Sequence, residues 1–488
     1  MSRFKAVISG GFQPATEQRI ISWLFLRLLA LIYVAAFTSL AVQITGLVGE
    51  DGVLPLSEHF SLAKEHYGER SWLWFPSIFW FIGSSDRALQ AVAMLGILFS
   101  LLLLFGRWQR SSLIMLFLLY LSLYHAGQIF TNFQWDTLLL EAGFLAILLV
   151  GGGNLLLIFL FEWLLFRLRF MSGVFKLVSG DPSWSGLTAL NHYFETQPLP
   201  HIGAWYAHQL PEVLLKAGVL LTLFSELLVP FLIFFPRRFR YFAAGITILL
   251  QLLIIATSNH NFINLLTIIL CLFLLHDELL KRILPSSFVQ RIEAVEVSPG
   301  SIRSTLIVIA LLLILPASLI AFTSRVLGQP LPSLIQGYSQ TVQRFGIGHI
   351  FHIFPTMQTQ RQELVIQGSN DGKSWQVYDF KYKPGDPSLA PAFIVPHQPR
   401  LDWMLWFVPT QQPLHLHWFG RLTQRLHQGS ESVSALLANN PFPDKPPKYL
   451  RVDSFSYSFA TPQEKEESGT WWRIQHLGSF PRVAPRIP

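Results

Sequence analysis

The chain of 488 residues has one cysteine and few charged side chains. Cys271 lies inside the apolar run LLTIILCLFLLH, so disulfide frameworks, CxxC redox motifs and cysteine-based zinc sites within the chain are excluded. Only 13% of the residues are charged, whereas a soluble domain has about 25%. The net charge of +7 is scattered or placed at the ends of apolar runs. This pattern indicates a membrane protein and argues against nucleic-acid binding.

Long apolar runs predict a polytopic helical bundle, because a transmembrane helix needs about 20 mostly apolar residues. The N-terminal sequence lacks the residue order of a cleaved signal peptide, so we expect the first apolar segment to be kept as an anchor. Two candidates are short and separated by GGGN, which leaves the count of nine open by one or two. The nine candidate spans are 21–44, 89–105, 112–129, 137–151, 154–171, 213–235, 241–258, 261–276 and 304–323.

The distribution of lysine and arginine between successive loops predicts the orientation. Basic residues are concentrated in alternate loops, which favours a cytoplasmic N-terminus and places everything after residue 325 in a lumen or periplasm. Arg167 and Arg169 do not follow this pattern. We therefore expect a cytoplasmic tail at 1–20, a transmembrane domain at 21–325 with a functional loop at 172–212, and an extramembrane domain at 326–488.

The composition changes at LGQPLPSL, residues 327–334, and strand-like patterns follow. Residues 361–383 predict a hairpin, since two alternating segments flank an Asn-Asp-Gly turn at 370–372. YLRVDSFSYSFA and TWWRIQHLG predict two more strands. The interpretation is a soluble, mainly β, sandwich-like C-terminal domain.

Several ionisable residues lie at bilayer depth, where charge marks a function or a buried pair. They are Arg27, Asp136, Glu141, Glu162, Arg167, Arg169 and Glu226. We expect Asp136 to cap its helix and to face the 172–208 loop. Glu141 or Glu162 could pair with Arg27 or Arg167. Because Asp136 and Glu141 are five residues apart, they point about 140° away from each other and cannot form one carboxylate dyad. Glu141 therefore needs an internal partner.

The loop 172–212 is rich in polar and aromatic residues, which favours a functional role. A buried Lys176 could act as a base, or it could extend its ammonium to the membrane interface. His192, Glu195 and His201 match no compact metal-ligand motif, so we expect neither a metal nor a cofactor. The candidate catalytic residues are Lys176, Glu141, His192 and Glu195. Asn259, His260, Asn261 and Asn264 are interpreted as residues that cap helices and hold loops.

Ordered, tryptophan-rich motifs extend along most of the chain. They are GLVGEDGVLP (46–55), NFQWDTLLLEAGFLAI (132–147), FRLRFMSGVFKLVSGDPSWSGLTALNHYFETQPLP (166–200), AWYAHQLP (204–211), NFINLLT (261–267), HQPRLDWMLWF (397–407), NPFPDKPPKYLR (440–451) and SGTWWRI (468–474). Together these motifs resemble the lipase maturation factor family. The resemblance implies a polytopic membrane protein that helps secreted lipases reach their folded form. It implies the endoplasmic reticulum for a eukaryotic protein and the inner membrane for a bacterial one.

A fainter resemblance concerns Gly173, Lys176, Leu177, Trp184 and Gly186, which are similar to the segment around the base lysine of vitamin K-dependent membrane carboxylases. The SGDPS insertion between the Lys-Leu pair and the tryptophan departs from that pattern. It leaves an alternative function open, that of a membrane enzyme acting on a lipid, quinone or protein with Lys176 as base.

The favoured hypothesis is a maturation or folding factor, more chaperone than enzyme, whose partners are the lipid bilayer and a lipase-like secreted client. A transporter is disfavoured, because inverted repeats are not apparent. The candidate client- or ligand-binding residues are Trp135, Asp136, Asp181, Trp184, Gln197, Trp205, His208, Arg400, Asp402, Trp403 and Trp406.

Overall fold

Nine helices, one at each predicted span, and one sheet form the framework of residues 10–294 and 300–481, the part of the chain that the computed structural model describes. Each of the nine predicted spans overlaps one of these helices. Residues 1–9 of the predicted cytoplasmic tail lie outside the described residues. The helices are α1 (Arg19–Ala41), α2 (Asp86–Leu104), α3 (Gln109–Ala126), α4 (Gln134–Leu149), α5 (Leu155–Val178), α6 (Glu212–Leu227), α7 (Arg237–Thr257), α8 (Ile263–Leu270) and α9 (Ser301–Leu327).

Among the residues that the structure describes, five helical stretches are long and apolar enough to cross a membrane, which makes the chain an integral membrane protein. The predicted count of nine spans is not confirmed. α5 is long enough, but it contains four ionisable residues, and α4 has only 16 residues. The five stretches are Thr16–Ala41, Asp86–Leu104, Glu212–Phe234, Arg237–Thr257 and Ser301–Leu327.

Local sequence explains where the central helices begin and how closely they pack. α5 begins after Asn154, whose side-chain oxygen accepts the Leu157 amide hydrogen at 2.9 Å and caps the first turn. Gly143 allows α4 to approach α1, since a Cβ atom there would overlap the Tyr33 hydroxyl. The sequence therefore specifies a tight contact between α1 and α4 at the centre of the bundle.

Further helices fill the connections. α-Helices before α9 are Ile44–Val48, Leu56–Tyr67, Ser71–Trp74, Phe79–Ile82, Pro182–Ser185, Ala189–Thr196, Ile202–His208, Asp277–Lys281 and Ser286–Glu293. Three-residue to six-residue 3₁₀ helices are Thr16–Gln18, Gly68–Arg70, Gln128–Phe130, Val229–Phe234, Cys271–Leu274 and Val408–Thr410. Three of the α-helices divide the 172–212 loop, so this loop is a folded segment.

The C-terminal region contains a four-stranded antiparallel sheet: β1 (Arg361–Ser369), β2 (Gln376–Val377), β3 (Tyr449–Phe459) and β4 (Trp472–Ser479). The strand order is β2-β1-β3-β4, with Val365 opposite Asp453. The predicted hairpin is present, and Gly372 has the positive φ of 72° that its turn requires. The predicted strands are therefore found, but the second strand of the hairpin, predicted as far as residue 383, is only two residues long.

The sandwich is not confirmed, because the described residues contain a single sheet. Helices surround it: α10 (Ser333–Gln343), α11 (Arg400–Leu405) and α12 (Pro413–His427), with the short helices Glu431–Ser434 and Pro462–Ser468. The prediction of a mainly β region is corrected to a mixed one. Its core is continuous with that of the bundle, since Leu140 of α4 and Leu401 of α11 belong to one buried apolar cluster.

Candidate functional site

A buried ion pair joins the C-terminal region to α4. Arg400 donates two hydrogen bonds to Asp136, of 2.7 and 3.0 Å, and one to the Phe130 carbonyl oxygen at 2.7 Å. The Tyr120 hydroxyl donates to the same carboxylate at 2.6 Å. Both charged side chains are 1% exposed. Because both side chains are buried, each charge depends on the other to offset the free-energy cost of its desolvation.

Asp136 therefore has a different environment from the predicted one. Its carboxylate faces Arg400 of the C-terminal region and not the 172–208 loop. The residue at the N-cap of α4 is Phe133, which has no side-chain cap. Both Asp136 and Arg400 were candidate ligand-binding residues, and the structure shows them bound to each other.

Amide side chains extend this contact along the 392–400 segment. The Gln398 carbonyl oxygen accepts hydrogen bonds from Gln43 at 2.9 Å and from the Ser39 hydroxyl at 3.1 Å. Asn259 bonds Ala392 and Ile394 through its amide group, at 2.8 and 3.0 Å. Asn261 similarly donates to the Gln398 side chain at 2.9 Å. The prediction that Asn259 and Asn261 hold loops is confirmed.

Glu141 has the internal partner that its depth requires. It forms an ion pair with Arg167 and accepts the Gly348 amide hydrogen at 2.8 Å. Arg167 also donates to the His349 carbonyl oxygen at 2.9 Å. This pair therefore fixes the 346–349 segment against α4 and α5, and it explains why Arg167 departs from the charge pattern of the loops.

The other membrane charges are paired differently from the prediction. Glu162 pairs with Arg240 at 2.6 Å, whereas the prediction named Arg27 or Arg167 as its partner. Arg169 lies 3.4 Å from Glu226, so its position near the outer end of α5 also has a structural explanation. Within the described residues, Arg27 has no carboxylate at ion-pair distance.

Lys176 is buried at the end of α5 with its ammonium fully occupied. It donates to Glu226 at 2.7 Å, to the Ile353 carbonyl oxygen at 2.9 Å and to the Ser172 carbonyl oxygen at 3.4 Å. The ammonium also lies 5.0 Å from the Trp184 ring centroid. A base must reach a substrate proton, but the Lys176 ammonium already donates its hydrogens to these three protein acceptors. The structure gives the enzyme hypothesis no support.

The 172–212 loop packs on the sheet, and the sequence did not point to the residue that holds it there. Arg361, at the start of β1, donates to the carbonyl oxygens of Glu195, Gln197 and Pro198 at 3.0, 2.5 and 2.9 Å. Arg361 is 2% exposed and also pairs with Glu363. The signal that was available is the RQE sequence directly before the apolar LVI segment of the strand.

The remaining candidates in the loop make structural contacts. Asp181 accepts the Met357 amide hydrogen at 2.7 Å, and Trp205 donates its indole hydrogen to the Ala460 carbonyl oxygen at 2.9 Å. His208 lies 3.8 Å from Glu195, whose carboxylate accepts the Phe459 amide hydrogen at 3.1 Å. Gln197 donates to the Thr257 carbonyl oxygen, and partly buried His192 lies on the Ala189–Thr196 helix.

Within residues 10–294 and 300–481, no three histidine, cysteine, aspartate or glutamate side chains come together as a metal site. Asp402 is instead bound by the amide hydrogens of Tyr382 and Lys383, at 2.8 and 3.0 Å. Burial raises the pKa of Asp402 despite these bonds. Asp402 therefore orders the turn that follows the hairpin.

An aromatic cavity of about 540 Å³ lies where the start of α4 meets the 349–356 segment and α11. Trp135 packs edge-to-face on Trp403, with ring centroids 5.1 Å apart. The lining residues are Asn132, Phe133, Gln134, Trp135, Thr137, His260, Ile263, His349, Ile350, His352, Ile353, Phe354, Pro355, Thr356, Trp403, Trp406 and Phe407. Three of the candidate residues, Trp135, Trp403 and Trp406, therefore converge on this cavity.

The aromatic cavity has no charged lining group. Burial lowers the pKa of His260 to about 3 and that of His349 to about 4, and it also lowers the pKa of His352. The three imidazoles are therefore neutral at pH 7. Asn132 and Thr356, which are exposed, lie at the mouth of the aromatic cavity. Such a cavity suits an apolar, uncharged group.

Comparisons with known proteins agree with this two-part architecture. The lipase maturation factor transmembrane domain matches residues 20–282, and the lipase maturation factor C-terminal domain matches residues 348–481. Lipase maturation factor 2 of Xenopus laevis is 34% identical, over 95% of this chain and 82% of its own length. Lipase maturation factor 1 of Mus musculus is 32% identical, over 93% of this chain and 85% of its own length. No solved structure matches the chain. The chain belongs to the lipase maturation factor family.

Proposed function

We propose that this protein assists the folding or assembly of secreted lipases and that the client contacts the aromatic cavity. The observation that carries the proposal is the position of this cavity, whose walls combine residues from both domains of the family. An incompletely folded lipase exposes apolar side chains, and an uncharged aromatic cavity would hold one of them away from water. The buried ion pairs would keep its walls in place.

The proposed orientation places the C-terminal region in the lumen or periplasm and the N-terminus in the cytoplasm. Arg110, at the start of α3, and Arg303, at the start of α9, lie at the end of α4 that is opposite the C-terminal region. Arg110 and Arg303 both bond the Val150 carbonyl oxygen there. Lysine and arginine are enriched in cytoplasmic loops. In this arrangement α3, α4, α5 and α8 complete nine spans, in the endoplasmic reticulum of a eukaryote or the inner membrane of a bacterium.

Replacing Phe407 with alanine tests the client site. We expect client binding to weaken about tenfold, because the variant removes an aromatic wall from the cavity without touching a buried charge. The measurement is co-purification of a secreted lipase, together with the lipase activity secreted by cells that lack their own maturation factors.

Tyr449→Ala is the matched control, since it removes an aromatic side chain that is 53% exposed on β3. This control should keep full client binding. Equal client binding by both variants and the unchanged protein would refute the cavity as the client site. Equal losses in the two variants would point to a general effect of truncating aromatic residues.

Lys176→Met separates a structural role from a catalytic one. We expect a loss of about 3 kcal/mol in the free energy of unfolding, because Glu226 keeps only the longer contact with Arg169. Active lipase per folded molecule should stay unchanged. The measurements are unfolding of the purified protein in detergent and lipase activity normalised to folded protein. A stable variant without activity would contradict the structural role.

A further inference from the structure

A second cavity, of about 680 Å³, lies at the opposite end of the bundle and contains three arginines. It is here called the basic cavity, and the described residues that line it include no acidic side chain. The lining residues are Arg19, Ser22, Trp23, Leu26, Arg27, Leu104, Phe105, Gly106, Gln109, Leu149, Gly151, Gly152, Phe288, Arg291 and Ile292. Cationic and apolar groups therefore share one space.

Arg27 lies about two turns inside α1. Its guanidinium donates to the Leu103 carbonyl oxygen, at the C-terminal end of α2, with a distance of 2.7 Å. It also lies 5.3 Å from the Trp23 ring centroid. Neither contact neutralises its charge, and the part of the chain that the structure describes offers it no carboxylate. An arginine without a neutralising partner in an apolar helix favours the binding of an anion from outside the protein.

Arg19 and Arg291 add to this positive charge. One nitrogen of Arg19 donates to the Glu293 carbonyl oxygen at 2.9 Å, while its buried Nε has no partner among the described residues. Two acidic residues that contact Arg19 are already engaged. Asp277 accepts amide hydrogens from the first turn of α1, and Glu293 pairs with Lys281 at 2.5 Å. The basic cavity therefore has unused donors.

The apolar side of the basic cavity indicates what kind of anion fits. Phe288 of the Ser286–Glu293 helix packs edge-to-face on Trp23 at 4.9 Å, which fixes that helix across the end of α1. Phe105 is 75% exposed, on the outside of the bundle. A free phosphate ion would leave these apolar walls in water, whereas an amphiphile would cover them.

We propose that the basic cavity binds the phosphate headgroup of an anionic glycerophospholipid, whose acyl chain lies along Leu26, Leu104 and Phe105. Guanidinium groups bind phosphate oxygens in pairs of parallel hydrogen bonds. Basic pockets between spans are suited to such headgroups on the cytoplasmic face. The lipid would join α1, the α2–α3 turn and the Ser286–Glu293 helix.

The test measures lipid retention by the purified full chain with native mass spectrometry. Phosphatidylglycerol and phosphatidylcholine with the same acyl chains are supplied in detergent, with inorganic phosphate and glycerol phosphate as competitors. We expect selective retention of phosphatidylglycerol and no displacement by either soluble phosphate. Equal retention of the two lipids would overturn the proposal. Displacement by soluble phosphate would overturn the lipid assignment in favour of a free phosphate ligand.

Two variants locate the site. Arg291→Gln and Arg27→Gln should each weaken phosphatidylglycerol binding about fivefold, since one basic residue near a membrane surface contributes about 1 kcal/mol. Arg291 is exposed, so its replacement leaves the fold intact. Arg282→Gln is the matched control, with the same charge change on an exposed residue outside the cavity. Unchanged binding by Arg291→Gln, or an equal loss in Arg282→Gln, would refute the site.

Discussion

Arg400→Leu is expected to lower the free energy of unfolding by about 3–5 kcal/mol, because it leaves the Asp136 carboxylate buried without its cation. The Phe130 carbonyl oxygen loses its donor in the same variant. The Tyr120 hydroxyl alone cannot offset a buried negative charge. The measurement is denaturant unfolding of the purified full chain in detergent, followed by tryptophan fluorescence.

Arg421→Leu is the matched control, because Arg421 also connects the C-terminal region to the membrane domain. It bonds both carboxylate oxygens of Glu58 at 2.7 Å, but the two side chains are 26% and 56% exposed. A pair of this kind contributes about 0–1 kcal/mol. The comparison therefore isolates burial as the source of the effect.

The double variant Asp136→Leu/Arg400→Leu tests the physical reason. Removing both charges should recover part of the lost stability, because no uncompensated charge remains in the core. Additive losses from the two single replacements would contradict a direct pairing. A small loss in Arg400→Leu alone would show that water reaches Asp136.

The two residues of this ion pair could be recognised in the sequence as candidates, but their pairing could not. Asp136 belongs to a motif at a helix start and Arg400 to HQPRLDWMLWF, so both were identified as candidates. They are 264 residues apart. Spacing and periodicity describe neighbours along one element, whereas this contact depends on how the C-terminal region folds back onto the bundle. Glu141 was more predictable, since its possible partner Arg167 lies on the next helix.

The long helices and the strands could be predicted because their patterns are strong. Apolar length identifies helices, and alternation beside an Asn-Asp-Gly turn identifies the hairpin. α12 was missed among the surrounding prolines, although its signal was present. Pro413 occupies the first turn, and the buried residues recur at helical spacing. They are His415, Trp418, Phe419, Leu422 and Leu426.

The continuous core also changes how the C-terminal region should be tested. Deleting residues 330–488 would remove part of the proposed client site, but it would also remove Arg400 from Asp136 and the Gly348 amide from Glu141. Loss of client binding in such a truncation would therefore have two explanations. Point replacements at the cavity surface avoid this ambiguity, because they leave both buried pairs in place.

Glu141→Leu is the second replacement with a large expected effect, a loss of about 3–5 kcal/mol in the free energy of unfolding. Arg167 would lose its carboxylate while remaining completely buried, and the Gly348 amide would lose its acceptor. The 346–349 segment should loosen, since two of its backbone contacts depend on this pair. Faster amide hydrogen exchange at Gly348 would report that loosening.

Two further variants show which part of Glu141 matters. Glu141→Gln keeps an acceptor for the Gly348 amide but removes the negative charge, so its stability should fall between those of Glu141→Leu and the unchanged protein. Glu278→Leu is the control, because it breaks an exposed pair with Arg237 and should leave the stability almost unchanged. If Glu141→Gln were as stable as the unchanged protein, charge pairing with Arg167 would not be what fixes this segment. Since His349 and Ile350 line the aromatic cavity, Glu141→Leu should also reduce client maturation per folded molecule, whereas Glu278→Leu should not.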